Sequence, residues 1–239
     1  MKKFSVLLLA SLASLAGCAT STQARSVQAT SFLGEYQPLL KPGQPDEEPL
    51  LVYKNPKADW ASYQKLLLEP ITIWGDAKHT LSKEQKKDLQ MVVDAFYASL
   101  RQKLTAYFEL VDKAAPGALR VQVAIENSQQ GDTKLKVASK GVPYSTPVGA
   151  VWTLVTGKPA FVGEVSIEYI VQDGGTGELL AAGADRRVGG DAYSREYLNS
   201  WGDVKNALDF WTDAAIYRIC VQRGGTDCVR PKASLLPGA

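Results

Sequence analysis

The sequence is poor in the side chains on which many enzyme and metal sites depend. Its 239 residues include one histidine, His79, and three cysteines. A serine or cysteine hydrolase needs a base beside its nucleophile, and His79 stands in a polar stretch before a predicted helix, where a surface turn is its expected role. The CxxC spacing typical of zinc sites does not occur. The sequence therefore supports neither a histidine-dependent hydrolase nor a metal site.

A phosphate-binding loop and a charge imbalance are also absent. The run Gly174-Gly175-Thr176-Gly177 is predicted to form a hairpin turn, whereas a phosphate-binding loop precedes a helix. Lys and Arg number 27 against 25 Asp and Glu, a surplus of two that is too small to indicate a nucleic-acid partner. We predict no cofactor, no nucleic-acid partner and no catalytic activity. A cell-wall enzyme acting through two carboxylates stays an alternative, because such a pair is defined by spatial geometry.

No hydrophobic run reaches the roughly 20 residues of a membrane-spanning helix, but the N terminus has the features of an export signal. Lys2 and Lys3 precede an apolar stretch over residues 4–16, and small residues follow it. Leu15-Ala16-Gly17-Cys18 resembles the bacterial lipobox. The resemblance implies acylation of Cys18, by palmitate or a similar chain, and removal of residues 1–17. A plain signal peptide with an incidental cysteine is the alternative.

The residues after Cys18 are small and polar, with no acidic residue beside it. In lipoproteins of enteric-type bacteria an aspartate there retains the protein in the inner membrane, so the resemblance implies the periplasmic face of the outer membrane. Residues 18–58 are predicted to form the lipidated N terminus and a proline-rich tether, because proline interrupts helices and central strands. Phe32 and Tyr53 are predicted to pack part of this tether on the domain.

Residues 59–222 are predicted to form a single α+β domain or a compact α/β sandwich. The expected sheet is mixed, with about four to six strands, and two main amphipathic helices pack on it. Alternating apolar residues and turn signals predict strands at 66–74, interrupted or bulged at Pro70, and at 108–111, 119–126, 163–171 and 179–186. Apolar residues three and four apart predict helices over 82–107 and from about residue 200 to 219. Residues 223–239 are predicted to be a tail.

The stretch from Gly141 to Gly157 contains no charged residue, and Lys140 and Lys158 bracket it. It is too short and too broken by proline to span a bilayer. One interpretation is a loop folded over the sheet edge. The other is an exposed apolar patch that contacts a membrane or a protein partner. The candidate contact residues are Val142, Tyr144, Val148, Val151, Trp152 and Leu154.

Two cysteines, Cys220 and Cys228, remain if Cys18 carries lipid. An exported chain lies in an oxidising compartment, where thiols pair. A disulfide between them is therefore predicted, and closing so short a loop would contribute roughly 2–3 kcal/mol on the chain-entropy model. Free thiols and pairing with another chain are the alternatives.

Asp185-Arg186-Arg187 is the most suggestive polar cluster of the sequence. Consecutive strand residues point to opposite faces, so at most one of the two arginines can turn inward. Arg186 and Arg187 are candidate contacts for a carboxylate or phosphate of a cell-wall component, because the guanidinium fork suits such groups. The alternative is a structural ion pair that joins an arginine to Asp185 or Glu168.

Several short stretches, in the same order along the chain, resemble one known family. They are Phe32-Leu33-Gly34-Glu35-Tyr36, Leu51-Val52-Tyr53-Lys54-Asn55-Pro56, Gly157-Lys158-Pro159-Ala160-Phe161-Val162-Gly163-Glu164, Thr176-Gly177-Glu178, Asp185-Arg186-Arg187 and Ser200-Trp201-Gly202-Asp203-Val204. The family consists of Gram-negative bacterial lipoproteins defined by domain of unknown function 3313. The resemblance implies an anchored envelope domain and names no reaction.

The sequence as a whole predicts a lipid-anchored periplasmic protein that binds or assembles with other envelope components. The expected partners are the bilayer, through acylated Cys18, and an envelope protein or a second copy of the chain. A subunit of a transport or secretion device that uses residues 141–157 is the alternative.

Overall fold

The computed structural model describes residues 21–45, 47–74, 83–126, 164–189 and 202–231. Within these ranges the fold is a mixed α+β domain built on one sheet of nine strands. The strands are β1 (Ser21–Gln23), β2 (Lys41–Pro42), β3 (Leu51–Lys54), β4 (Lys65–Leu68), β5 (Thr72–Trp74), β6 (Glu109–Leu110), β7 (Ala118–Glu126), β8 (Glu164–Asp173) and β9 (Leu179–Gly189). Two α-helices, α1 (Lys83–Leu104) and α2 (Gly202–Gln222), accompany short 3₁₀ helices at Gly34–Leu39 and Trp60–Ser62.

The sheet combines parallel and antiparallel pairing in the order β2-β3-β9-β8-β7-β4-β6, with β1 paired to β9 and β5 to β7. The chain crosses from β4 through α1 to β7, which runs parallel to β4, and β8 and β9 follow as an antiparallel hairpin. Leu68 pairs with Val121 and Thr72 pairs with Ala124. Four steps along the chain from β4 to β5 therefore face three steps along β7, so the β4–β5 segment carries one extra residue. The predicted interruption or bulge at Pro70 is therefore confirmed.

The front face of the sheet, which we define as the face toward the helices, carries the main core. The alternating residues predicted for β7 and β8 lie there, as do the apolar stripes of α1 and α2. This core includes Leu89, Phe96, Leu100, Leu119, Val123, Ile125, Ile167 and Trp211. No helix among the described residues is both long and apolar enough to cross a membrane.

The back face of the sheet is covered by residues 27–40, which form the layer we call the N-terminal cover. Leu33 packs against Ile170, Ala182 and Ala184, with Phe32 among its partly buried neighbours. Small alanine side chains on β9 leave the space that Leu33 fills, and Leu33 is 1% exposed. The N-terminal cover is thus part of the folded domain.

This arrangement corrects the predicted domain boundary at residue 58 and the predicted number of strands. The segment predicted as a tether contributes β1, β2 and β3 to the sheet, in addition to the N-terminal cover. Its prolines do not prevent this, because β3 fits between Pro49 and Pro56 and Pro42 lies in the edge strand β2. Short strands of two to four residues carry too little periodicity to be recognised in a sequence.

Candidate functional site

A buried carboxylate, Asp185 on β9, collects donors from three separate parts of the fold. One of its oxygens accepts from Trp211 Nε1 of α2 at 2.7 Å. The other accepts from Gln23 Nε2 of β1 at 2.7 Å and from the backbone N–H of Leu50 at 3.3 Å. Asp185 is 4% exposed, so these bonds replace the water that a carboxylate would otherwise bind. We call these four residues the Asp185 cluster.

Arg187 extends the same polar interior toward the beginning of β1. Its Nε donates to Ser21 Oγ at 2.8 Å, and another guanidinium nitrogen donates to the Ser21 carbonyl. The guanidinium carbon lies 3.5 Å from the ring centre of Phe210 on α2, a cation–π contact. Arg187 therefore ties the first described strand to the last helix.

This position corrects the expectation that Arg187 contacts an external anion. Arg187 is only 2% exposed, and its nitrogens bond Ser21, which belongs to the same chain. The alternation of β9 places Arg186 on the back face, opposite to Arg187. Anion contact by Arg186 stays a prediction.

Glu168 lies on the back face of the sheet, opposite to Asp185, and holds the N-terminal cover there. Its two carboxylate oxygens accept from the Thr30 backbone N–H at 2.6 Å and from Thr30 Oγ1 at 2.8 Å. Burial raises the pKa of Glu168 above its ordinary value of 4.5, and the Thr30 bonds partly oppose that rise. Asp185 and Glu168 are both held by neutral donors, not by the arginine ion pair considered above.

A substitution at Glu168 has a pH-dependent effect with a definite sign. The folded chain binds the Glu168 proton more tightly than the unfolded chain, so stability decreases as pH rises from 4.5 through the raised pKa. The Glu168→Gln variant can keep both Thr30 contacts without a charge. We expect it to be more stable than wild type at pH 8 and to lose this advantage near pH 4, measured by urea denaturation. An equal difference in stability between Glu168→Gln and wild type at both pH values would contradict this account. Glu35→Gln is the control, because Glu35 lies in the same layer and is exposed.

These two carboxylates do not form a catalytic pair. Asp185 faces the helices and Glu168 faces the N-terminal cover, so the sheet separates them. Among the described residues there is no group of three or more His, Cys, Asp or Glu side chains placed to hold a metal ion. The polar interior is thus suited to joining elements of the fold.

A cavity of about 190 Å³ lies between the front face of the sheet and the two helices. Its walls are mainly apolar and include Leu66, Phe96, Leu100, Phe108, Val123 and Ile167. Trp60 and Trp211 also line it. Interiors of globular domains contain few voids larger than a water molecule, so this space is a candidate ligand site that no motif in the sequence indicated.

Polar groups gather where the cavity meets strand β3 and the C-terminal half of α2. They include Lys54, Tyr169 and Arg218. Tyr169 crosses the front face over Gly183, where an added Cβ would lie 2.7 Å from the tyrosine hydroxyl and 2.8 Å from the Leu51 carbonyl. Glycine at position 183 therefore provides the space that this tyrosine occupies.

The two C-terminal cysteines lie within bonding distance where α2 ends. Their Cα atoms are 5.6 Å apart, inside the range of disulfides. Gly224 has a φ of +74°, a left-handed conformation that ends the helix. A Cβ on Gly225 would come within 2.6 Å of the Cys220 sulfur, so this glycine lets the loop fold back.

Several predicted site residues lie outside the described residues. They are Cys18 with the signal peptide, His79, and the apolar segment with Val142, Tyr144, Val148, Val151, Trp152 and Leu154. The sequence reasoning in turn missed the partners that Ser21, Gln23 and Thr30 provide. The available signal was a glutamate and an aspartate within predicted strands, since a carboxylate that becomes buried needs partners.

Comparisons with solved structures give weak likenesses. A PelC dodecamer from Paraburkholderia phytofirmans is 16% identical with a TM-score of 0.33, and the match covers 73% of this chain and 98% of that one. A DUF4136 family protein from Bacteroides thetaiotaomicron is 12% identical with a TM-score of 0.34, covering 69% and 94%. No curated protein matches the chain.

A family model gives the clearer result. The model described as "Protein of unknown function (DUF3313)" matches residues 28–215. The match begins in the N-terminal cover, extends through β9 and ends within α2. It therefore includes most of the described fold, and the chain belongs to the DUF3313 family.

Proposed function

We propose that the chain is a lipoprotein of the outer membrane, anchored by acylated Cys18 on the periplasmic side. Its domain is a non-catalytic module that binds or assembles with other envelope components. The observation that carries this proposal is the pairing of β1 with the end of β9, where Ser21 lies opposite Gly189.

The pairing of β1 brings the proposed anchor close to the domain. Ser21 comes three residues after Cys18, and three residues span at most about 10 Å. The Arg187 guanidinium donates to both the hydroxyl and the carbonyl of Ser21. An acyl group on Cys18 would therefore hold one particular end of the sheet near the bilayer, in contrast to a long flexible tether.

The ends of other strands lie at the same end of the sheet as Ser21. Glu126 pairs with Ser166, and Glu164 pairs with Val188, next to Gly189. The chain between Glu126 and Glu164, which contains residues 141–157, therefore leaves and re-enters the fold beside the proposed anchor. This placement supports a role for the apolar segment in contact with the membrane or with a partner that lies on it.

The same placement favours one second candidate, a subunit of an envelope transport or secretion device. In that case residues 141–157 would insert into the membrane during assembly. The close approach of Cys220 and Cys228 fits an oxidising compartment and supports export under either candidate.

Native mass after gentle extraction from membranes tests the assembly role. We expect a discrete complex larger than one chain in mild detergent, and we expect Val148→Asp with Val151→Asp to convert it to a monomer, because charge opposes burial of an apolar patch. Val221→Asp is the matched control, since Val221 is 50% exposed near the opposite end of the domain. A monomer at every protein concentration, or an unchanged complex in the double variant, would contradict the proposal.

A further inference from the structure

We propose that the cavity between the sheet and the helices binds a single-chain anionic amphiphile. Its apolar chain would lie between Phe96, Leu100 and Ile167, and its anionic head would meet Arg218 and the Tyr169 hydroxyl. This site is independent of the lipid on Cys18 and of the contacts made by residues 141–157.

The size and lining of the cavity suit the apolar part of such a ligand. Its volume of about 190 Å³ compares with about 150 Å³ for an engineered apolar cavity that binds benzene. A chain of about eight carbon atoms is therefore a reasonable probe. Ligand sites are typically apolar spaces with a small number of polar groups, which is the arrangement found here.

Arg218 provides the positive charge at the polar side. Its guanidinium donates to the Glu47 carbonyl at 2.8 Å, and it forms no ion pair with a carboxylate among the described residues. Lys54, by contrast, is held by Glu48 at 2.5 Å. Arg218 thus retains donors for an incoming carboxylate or sulfate, and such charge-assisted bonds are stronger than neutral ones.

Tyr169 provides a second donor beside it. Burial raises the pKa of Tyr169 to about 12, with Arg218 partly opposing the rise, so the hydroxyl stays protonated at neutral pH. Within the described ranges this hydroxyl has no hydrogen-bond partner in the fold. The nearby Asp185 does not fill that role, because its oxygens already accept from Trp211, Gln23 and Leu50.

The test uses residues 18–239 with Cys18→Ser, so that no acyl group and no detergent competes. Octanoate, octanol and octyltrimethylammonium are titrated while the fluorescence of the tryptophans is recorded, because Trp60 and Trp211 line the cavity. We expect saturable binding of one octanoate per chain. We expect octyltrimethylammonium to bind about tenfold more weakly or worse, since the head group would lose a charge-assisted bond.

Two variants and a control decide the assignment. Arg218→Ala should weaken octanoate about tenfold while changing octanol less than about twofold. Ala215→Phe, which fills the cavity from α2, should abolish binding of both probes. Lys205→Ala is the control on the same helix, since Lys205 is exposed and pairs with Asp209. Circular dichroism verifies that each variant is folded, and Arg218→Ala decides alone if Ala215→Phe does not fold.

The proposal is overturned by any of three results. One is the absence of a saturable signal with octanoate in the folded protein. Another is equal affinity for octanoate in wild type and Arg218→Ala. The third is tighter binding of octyltrimethylammonium than of octanoate, which would identify the polar side of the cavity as a site for cations.

Discussion

Replacing Asp185 by alanine is expected to lower the free energy of unfolding by about 3–5 kcal/mol, because each buried donor left without its acceptor costs roughly 1–3 kcal/mol. The indole N–H of Trp211 is fully buried between β9 and α2, while Gln23 and the Leu50 N–H are partly buried. An alanine at this position also leaves a small void. With total stabilities of about 5–15 kcal/mol in natural domains, this loss removes a large part of the stability.

Urea denaturation of the wild type and the variant measures this effect. Asp185→Asn is expected to lower the free energy of unfolding by less. Its amide oxygen can still accept from the donors on one side of the residue, while its NH₂ group faces a donor on the other side. Asp213→Ala is the matched control, because its salt bridge with Lys103 is exposed and such pairs contribute about 0–1 kcal/mol. A loss at Asp185 no larger than that at Asp213 would contradict the role given to the Asp185 cluster.

The periodic elements of this fold could be predicted from the sequence, because burial on one face leaves a regular pattern. This rule predicts the apolar stripe of α1, which includes Leu89, Phe96 and Leu100. It also predicts the alternation of Leu119 and Val123 in β7. The bulge at Pro70 also follows from local chemistry, since proline cannot continue the ladder. In each case one element's own residues carry the information.

The parts that could not be predicted depend on partners far apart in the chain. β1 has three residues, and its pairing with β9 is reinforced by bonds from Ser21 and Gln23 to Arg187 and Asp185, more than 160 positions away. Thr30 and Glu168 are similarly distant. The cavity is a property of how two helices lie over a sheet, and nothing in the spacing of Trp60, Tyr169 and Arg218 indicates that they meet.

Replacing Cys18 by serine, in a chain exported with a signal peptide that is cleaved without lipidation, is expected to move the protein from the membrane fraction to the soluble periplasmic fraction. Serine lacks the thiol to which the acyl chain would be attached, and stable anchoring depends on more than one lipid chain. The fold should persist in the soluble form, because β1 begins after the substituted residue and keeps its bonds to Arg187.

The anchored arrangement is tested most directly by fractionation of cells that express wild type, the Cys18→Ser variant exported with the cleavable signal peptide, and a control with Cys220→Ser and Cys228→Ser. Labelling with radioactive palmitate is recorded in the same samples. The account predicts label and membrane association for wild type and for the control, and neither for Cys18→Ser. Membrane association of Cys18→Ser equal to that of wild type, or wild type without label, would contradict it.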